Sequence, residues 1–353
     1  MKKIMLVFGT RPDAVKMCPL AIELKKREGF DVKVCLTGQH REMLDSVMDT
    51  FGVSADYDLA VMREGQSLAD ITSKIIGGMT EILRRERPDI LLVHGDTSSA
   101  FSAALAAFYL GIPVGHVEAG LRTYDMSSPF PEEFNRRAVS LISTVDFAPT
   151  EAAKDRLIAE GKSPERVFVT GNTVIDALKY TAIDEACDGK TVLFTAHRRE
   201  NLGEAMDNIF SAVGRIAEKY PDLKIVYPMH PNPAVRKAAE KVLGGAENVE
   251  LREPLGLKEF HSLLARAVAV MTDSGGVQEE AAALGKPCLV LRDTTERRES
   301  DSLILVGTRE DEIVSAFERL IDDKEYYDSI KNAPNPYGDG KASERIADIL
   351  ERI

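Results

Sequence analysis

Short apolar runs with few polar interruptions alternate along this chain with longer stretches whose apolar residues recur at helical spacing. KIMLVFG (3–9), DVKVCLTG (31–38), DILLVHG (89–95) and PVGHVEAG (113–120) read as strands, because near-continuous apolar runs suit strands covered on both faces. Between them, Val15, Leu20, Ile22 and Leu24 predict a helix over 12–28. Further helices are expected at 41–51, at 67–85 (closed by Pro88) and at 98–111. A helix at 135–143, a strand at 146–150, a helix at 151–160 and a strand at 167–171 continue the alternation.

Around 172–189 the pattern becomes a helix and a linker containing Asp and Gly, and then it restarts. Strands are expected at 191–197, 224–230, 248–254, 268–273 and 286–293, with helices at 204–220, 234–243, 258–267, 277–285, 310–321 and 342–352. A chain of 353 residues exceeds what one hydrophobic core usually holds. The expected fold class is therefore α/β, with two successive doubly wound parallel sheets. The first is placed at 1–172, with the terminal helix (about 341–353) packing back on it, and the second at 173–340. Ligands are expected in the crevice between the carboxyl ends of the strands.

Ser274-Gly275-Gly276 lies where an apolar strand stops and a helix begins. A helix start leaves unpaired N–H groups at the positive end of its dipole, and glycine lets a bulky anion approach them. An ordinary strand-turn-helix connection has the same sequence, so the remaining loops must decide between the two.

Composition narrows the partners. Net charge of −12, with no broad cationic run, argues against nonspecific nucleic-acid binding. No apolar run is long enough to span a bilayer, and Met1-Lys2-Lys3 leads into a strand rather than a signal peptide. Cys18, Cys35, Cys187 and Cys288 lack metal or disulfide spacing, so reduced thiols in a cytoplasmic protein are expected. An acidic protein that handles an anion must gather its Arg and Lys locally.

Four loops past strand ends carry candidate chemistry. Gly9-Thr10-Arg11-Pro12-Asp13 opens a helix, Pro12 suits its N1 position, and Lys16 follows one turn later. The glycine pattern matches neither dinucleotide nor P-loop fingerprints. Asp96 and Glu118 leave neighbouring strands at equivalent positions, and they could converge on one ligand. Asp96 could equally cap a helix, and Glu118 could equally pair with Arg122. Pro129 and Pro131 would hold Glu132 in a restricted loop before a helix, with Arg136 four residues on. His197, followed by Arg198 and Arg199, suggests a pocket for negative charge, although a hydrogen-bonded structural His remains open. Beyond these, Arg297 and Arg298 follow another strand, and Glu280 is placed to meet a ribose hydroxyl or solvent.

Taken in order, GTRPDAVKMCPL, GDTSSA, HVEAGLRT, PFPEEFNRR, GNTVID, HRREN, HPNP, SDSGGVQEEAAALGKP, RDTTERRE and NPYGDG resemble the non-hydrolysing UDP-N-acetylglucosamine 2-epimerases over nearly the whole chain. The resemblance implies a GT-B fold of two Rossmann-like domains, a cytoplasmic homodimer, and UDP-GlcNAc, UDP-ManNAc and UDP as ligands. It implies neither a metal nor any other cofactor. By position, Arg11, Lys16, Ser274, Gly275, Gly276 and Arg297 would meet the diphosphate. Glu280 would hold the ribose, with Leu255 and Phe260 around the uracil. Asp96, Glu118, Glu132 and His197 would surround the sugar and include the acid–base groups, supported by Arg136. Gln39, His40, Gln66, Arg198 and His230 match parts of a region where some relatives bind a second, activating UDP-GlcNAc.

The chain departs from the family pattern at Asp13 (usually Glu), at Gly65 (often basic), at Arg298 (usually Pro) and in a shortened 299–303 segment. The readings left beside this one are a hydrolysing epimerase, a GT-B glycosyltransferase, a relative acting on a modified UDP-hexosamine, and a catalytically idle UDP-sugar-binding regulator.

Overall fold

The computed structural model describes residues 1–38, 41–63, 65–181, 186–198, 201–297 and 299–353, with the side chains of 41–43 also left out. Gln39, His40, Arg199 and Arg298 therefore lie outside the described residues. The chain divides into two compact units, Met1–Tyr180 with Tyr337–Ile353, and Thr181–Pro336.

In the first unit, β1 (Lys2–Phe8), α1 (Arg11–Lys25), β2 (Phe30–Leu36), α2 (Arg41–Phe51), β3 (Tyr57–Asp58), α3 (Leu68–Glu86) and β4 (Ile90–His94) form the leading half. They are followed by α4 (Ser98–Tyr109), β5 (Val114–Val117), α5 (Glu132–Ile142), β6 (Val145–Ala148), α6 (Glu151–Ala159), β7 (Val167–Val169) and α7 (Thr173–Thr181). Among the described residues the strands make one parallel sheet in the order β3-β2-β1-β4-β5-β6-β7. Strand order reverses between β1 and β4, the switch point where doubly wound sheets bind ligands.

The second unit runs through β8 (Thr191–Thr195), α8 (Glu204–Lys219), β9 (Lys224–Pro228), α9 (Pro233–Leu243), β10 (Val249–Arg252), α10 (Leu257–Arg266) and β11 (Ala269–Thr272). It continues with α11 (Gly275–Ala283), β12 (Cys288–Val290), β13 (Leu303–Leu305), α12 (Glu310–Asp322) and α13 (Lys324–Lys331); the last helix, α14 (Ala342–Arg352), belongs to the first unit. The second sheet is also parallel, in the order β10-β9-β8-β11-β12-β13, with its switch point between β8 and β11. Val192 and Phe194 of β8 pack into one apolar cluster and Leu193 into another, so both faces of the strand are covered. The apolar runs therefore fold as the two Rossmann-like parallel sheets they predict.

Three differences have local causes. The short strands β3 and β13 escape the pattern because each is too brief to show a period. α5 starts at Glu132, so this residue lies inside a helix rather than in the loop expected before one. Thr10 takes the cap of α1, its hydroxyl accepting from Asp13 N at 3.3 Å, which moves Pro12 to the second helical position.

α7 stays with the first unit because Asp176 accepts the N–H groups of Ala342 and Ser343 at the start of α14, each at 3.1 Å. Lys2 Nζ donates to Leu350 O, and Arg27 pairs with Asp348 and Glu351 farther along α14. Cys18, Cys35 and Cys288 are buried free thiols and Cys187 is exposed; burial pushes Cys18 and Cys35 up to about 12. Among the described residues no helix is long and apolar enough to cross a membrane.

Candidate functional site

The first unit gathers charge at its switch point. Gly9 follows β1 where a Cβ would lie 1.8 Å from Thr37 Oγ1, so only glycine fits the turn into α1. Lys16 faces inward from α1, is 4% exposed, and forms an ion pair with Glu118. Asn172 Nδ2 donates to Glu118 Oε2 at 2.7 Å. This changes the expected partner of Glu118: Arg122 bonds Glu160 and Ser140 instead, because its guanidinium is directed toward α5 and the end of α6.

His94, fully enclosed, has Nδ1 3.6 Å from Asp13 Oδ1 and Nε2 3.6 Å from Glu118 Oε2. Burial alone would push its pKa down. The carboxylates of Glu118 and Asp13 outweigh burial and raise it to about 9, so the ring is cationic at neutral pH. Two cations and two carboxylates thus share one buried cluster. Asp13 also accepts from Thr97 Oγ1 at 3.3 Å. Neither His94 nor Asp13 stands out in sequence as part of such a cluster, since their pairing depends on strands and helices far apart in the chain.

Glu118 has φ 62, a conformation that costs a non-glycine residue about 1–3 kcal/mol. Its neighbours hold it there: Ala119 N donates to Phe147 O, and Gly95 N donates to Val117 O. Beside it, Asp96 retains partial exposure and pairs with Arg136. Arg136 also reaches Glu133 at 3.2 Å, while Glu133 accepts the N–H groups of Thr123 and Tyr124, each at 3.0 Å. Glu133 is thus the anchor of this corner. Glu132, one residue earlier at the start of α5, is half-buried.

The second unit's switch point lies between His197, past β8, and Asp273, past β11. Ser274 precedes α11, which begins at Gly275, so the glycines form the first helical turn rather than a turn before it. The Ser274 side chain makes no cap bond, and the first-turn N–H groups lack intrahelical acceptors. Gly276 has open space where a Cβ would go. At Gly275 the reason for glycine differs from the expected anion approach, because a Cβ would lie 2.5 Å from Arg297 Nη1. The Arg297 guanidinium therefore lies directly over the helix start, gripped by Glu279 (Nε to Oε1, 2.8 Å) and by Glu296.

Glu280 lies 3.4 Å from His261, which contacts the Thr181 hydroxyl. Leu255 and Phe260 pack against the apolar cluster containing Leu263 and Val277. The His197 ring stacks on His230, with centroids 5.2 Å apart, and Arg198 Nε donates to Asp273 O at 2.8 Å. Of the remaining candidates, Arg11 is the half-buried first residue of α1, and the Gln66 side chain accepts from Arg63 N just before α3. Among the described residues no group of three or more His, Cys, Asp or Glu side chains is placed to hold a metal.

The family model described as UDP-N-acetylglucosamine 2-epimerase matches residues 22–351. A UDP-N-acetylglucosamine 2-epimerase from Bacillus subtilis is 51% identical over 99% of this chain and 94% of its own length. The crystal structure of UDP-GlcNAc 2-epimerase from Neisseria meningitidis bound to UDP-GlcNAc is similar at a TM-score of 0.95 and 47% identity, covering 99% of this chain and 100% of that one. S. aureus MnaA, in a co-structure with UDP, reaches a TM-score of 0.95 at 49% identity, covering 100% of this chain and 96% of its own. With the two parallel sheets, this likeness makes the fold GT-B in type.

Proposed function

The chain belongs to the UDP-N-acetylglucosamine 2-epimerase family, and from that premise we propose that it interconverts UDP-GlcNAc and UDP-ManNAc without net hydrolysis. The observation that carries the reading is the acid corner of the first unit. Asp96 and Glu118 leave the ends of neighbouring strands, and Arg136 ties Asp96 to the first turn of α5, which begins with Glu132.

The C2 proton of an N-acetylhexosamine is not acidic, since no adjacent carbonyl stabilises a carbanion. Elimination avoids the carbanion. A carboxylate takes the C2 proton while the C1–O bond breaks and its electron pair leaves with UDP, giving 2-acetamidoglucal. UDP then adds back to C1 as a second acid delivers a proton to the opposite face of C2. Asp96, Glu118 and Glu132 are the acid–base candidates, and the ring of His197 is the fourth. Arg11, the helix start at Ser274–Gly276 and Arg297 would stabilise charge on the departing diphosphate. Lys16 serves as the charge partner of Glu118, and Glu280, Leu255 and Phe260 take the nucleoside side.

The test is incubation with UDP-GlcNAc in D2O, followed by NMR of the sugar. UDP-ManNAc carrying deuterium at C2 is the expected product, with label entering UDP-GlcNAc as well. Free ManNAc would replace this reading by hydrolysis, and tight binding with no exchange would replace it by a regulator.

The reaction is placed in the cytoplasm, whose reducing conditions suit four free cysteines. The working unit is proposed to be a homodimer built on α4 and α5. Phe108 (53% exposed) and Leu141 (83% exposed) lie seven residues from Phe101 and Phe134 on these helices, and the latter two rings meet edge to face at 5.6 Å. This apolar strip suits a second copy of the chain. Leu141→Glu should shift the sedimenting species from dimer to monomer, and a monomeric wild type would remove the proposal.

A further inference from the structure

Asp273 is fully buried just past the end of β11, where its side chain faces the loop that follows β8. Its Oδ2 accepts three donors from the loop past β8: His197 N at 2.8 Å, Arg198 N at 2.8 Å and Asn201 Nδ2 at 3.1 Å. Its Oδ1 has no hydrogen bond among the described residues and faces His197 Nδ1 at 3.3 Å. A small rotation of the imidazole, which is 38% exposed at its side chain, would complete that bond. A carboxylate accepts only, so the ring nitrogen facing Oδ1 must carry a proton.

We propose that Asp273 is the positioning residue of His197: one oxygen shapes the loop, and the other holds the ring as the Nδ1–H tautomer with Nε2 presented to substrate. The stacked His230 ring limits rotation out of that plane, and its own Nδ1 is occupied by Asn232 N at 3.1 Å. In this arrangement Nε2 accepts a proton or a hydrogen bond, and the adjacent carboxylate stabilises the imidazolium that follows. The catalytic consequence rests on the reading of His197 as a group at the reacting sugar nucleotide; the tautomer assignment does not.

Asp273→Asn separates the two oxygens. The three loop donors need an acceptor, so they hold the amide oxygen at the Oδ2 position and turn the amide NH2 toward His197 Nδ1. The ring must then accept at Nδ1 and carry its proton on Nε2. Histidine 15N NMR of the full chain, at alkaline pH with the ring neutral, should show Nδ1–H in the wild type and Nε2–H in the variant. With UDP-GlcNAc, kcat should fall about 10³–10⁴-fold while KM stays within a few-fold.

A purely structural Asp273 would leave kcat and the tautomer unchanged in the variant, because the loop bonds survive, and that result overturns the proposal. An Nε2–H ring in the wild type overturns it without any variant. If the wild type fails to exchange C2 hydrogen, the epimerase reading falls, yet the NMR arm still decides whether Asp273 sets the tautomer.

Discussion

Glu118→Gln should reduce C2 exchange by about 10²–10⁴-fold and weaken the fold as well. The two losses have different origins. The first follows from removing a carboxylate proposed as an acid–base group. The second follows from burial, because Lys16 and Glu118 are both almost fully enclosed. Removing one partner of a buried pair typically costs about 3–5 kcal/mol.

The variant should also change how stability depends on pH. In the wild type the carboxylates of Glu118 and Asp13 overcome burial and raise His94 to about 9. A raised pKa gives stability that is complete below the unfolded value near 6.5 and is lost as pH climbs through 9. Without Glu118 much of that lift disappears, so urea midpoints should decline less between those pH values. Glu132→Gln is the control: that residue is half-buried at the start of α5, and its loss should lower exchange with little change in midpoint. Full exchange in Glu118→Gln would take this carboxylate out of the chemistry, and unchanged unfolding at every pH would deny the buried cluster its energetic role.

The second large effect is expected at Arg297. Replacing it with Met removes the guanidinium from between Glu279 and Glu296, leaving carboxylates that are 0% and 3% exposed. Glu296 also bonds Arg292 at 3.1 Å, and loss of the buried guanidinium should cost about 3–5 kcal/mol in urea unfolding. UDP affinity, read by calorimetry, should fall together with stability. Arg297→Lys should recover only part of either, since an ammonium cannot span two carboxylates as a planar fork does. UDP binding that survives the Met variant at full strength would assign the diphosphate to other groups.

Much of this was legible beforehand, for a physical reason. A strand buried on both faces must be apolar throughout, so β1, β4, β8 and β11 announce themselves, and the loops after them are where a doubly wound sheet places its chemistry. Asp96, Glu118, His197 and Ser274–Gly276 could all be found by that rule. What escaped it were partners from distant elements. Glu118 meets Lys16, 102 residues away, rather than the nearby Arg122, whose guanidinium bonds Glu160. Gly275 looked like room for an anion, and it proves to be room for Arg297. Asp273, between an apolar strand and the glycines, carried a signal that could have been used: an acid there must be satisfied by something.

The sequence alone determined the alternation of elements, the two parallel sheets and the strand ends where the candidate residues lie, because burial and turn chemistry act locally and leave a period in the chain. Tertiary structure alone decided the charge partners, the strained backbone at Glu118 and the hold of Asp273 on His197. Those depend on which strand ends come together, and Coulomb and hydrogen-bond energies fall off over a few ångströms that residue spacing cannot measure.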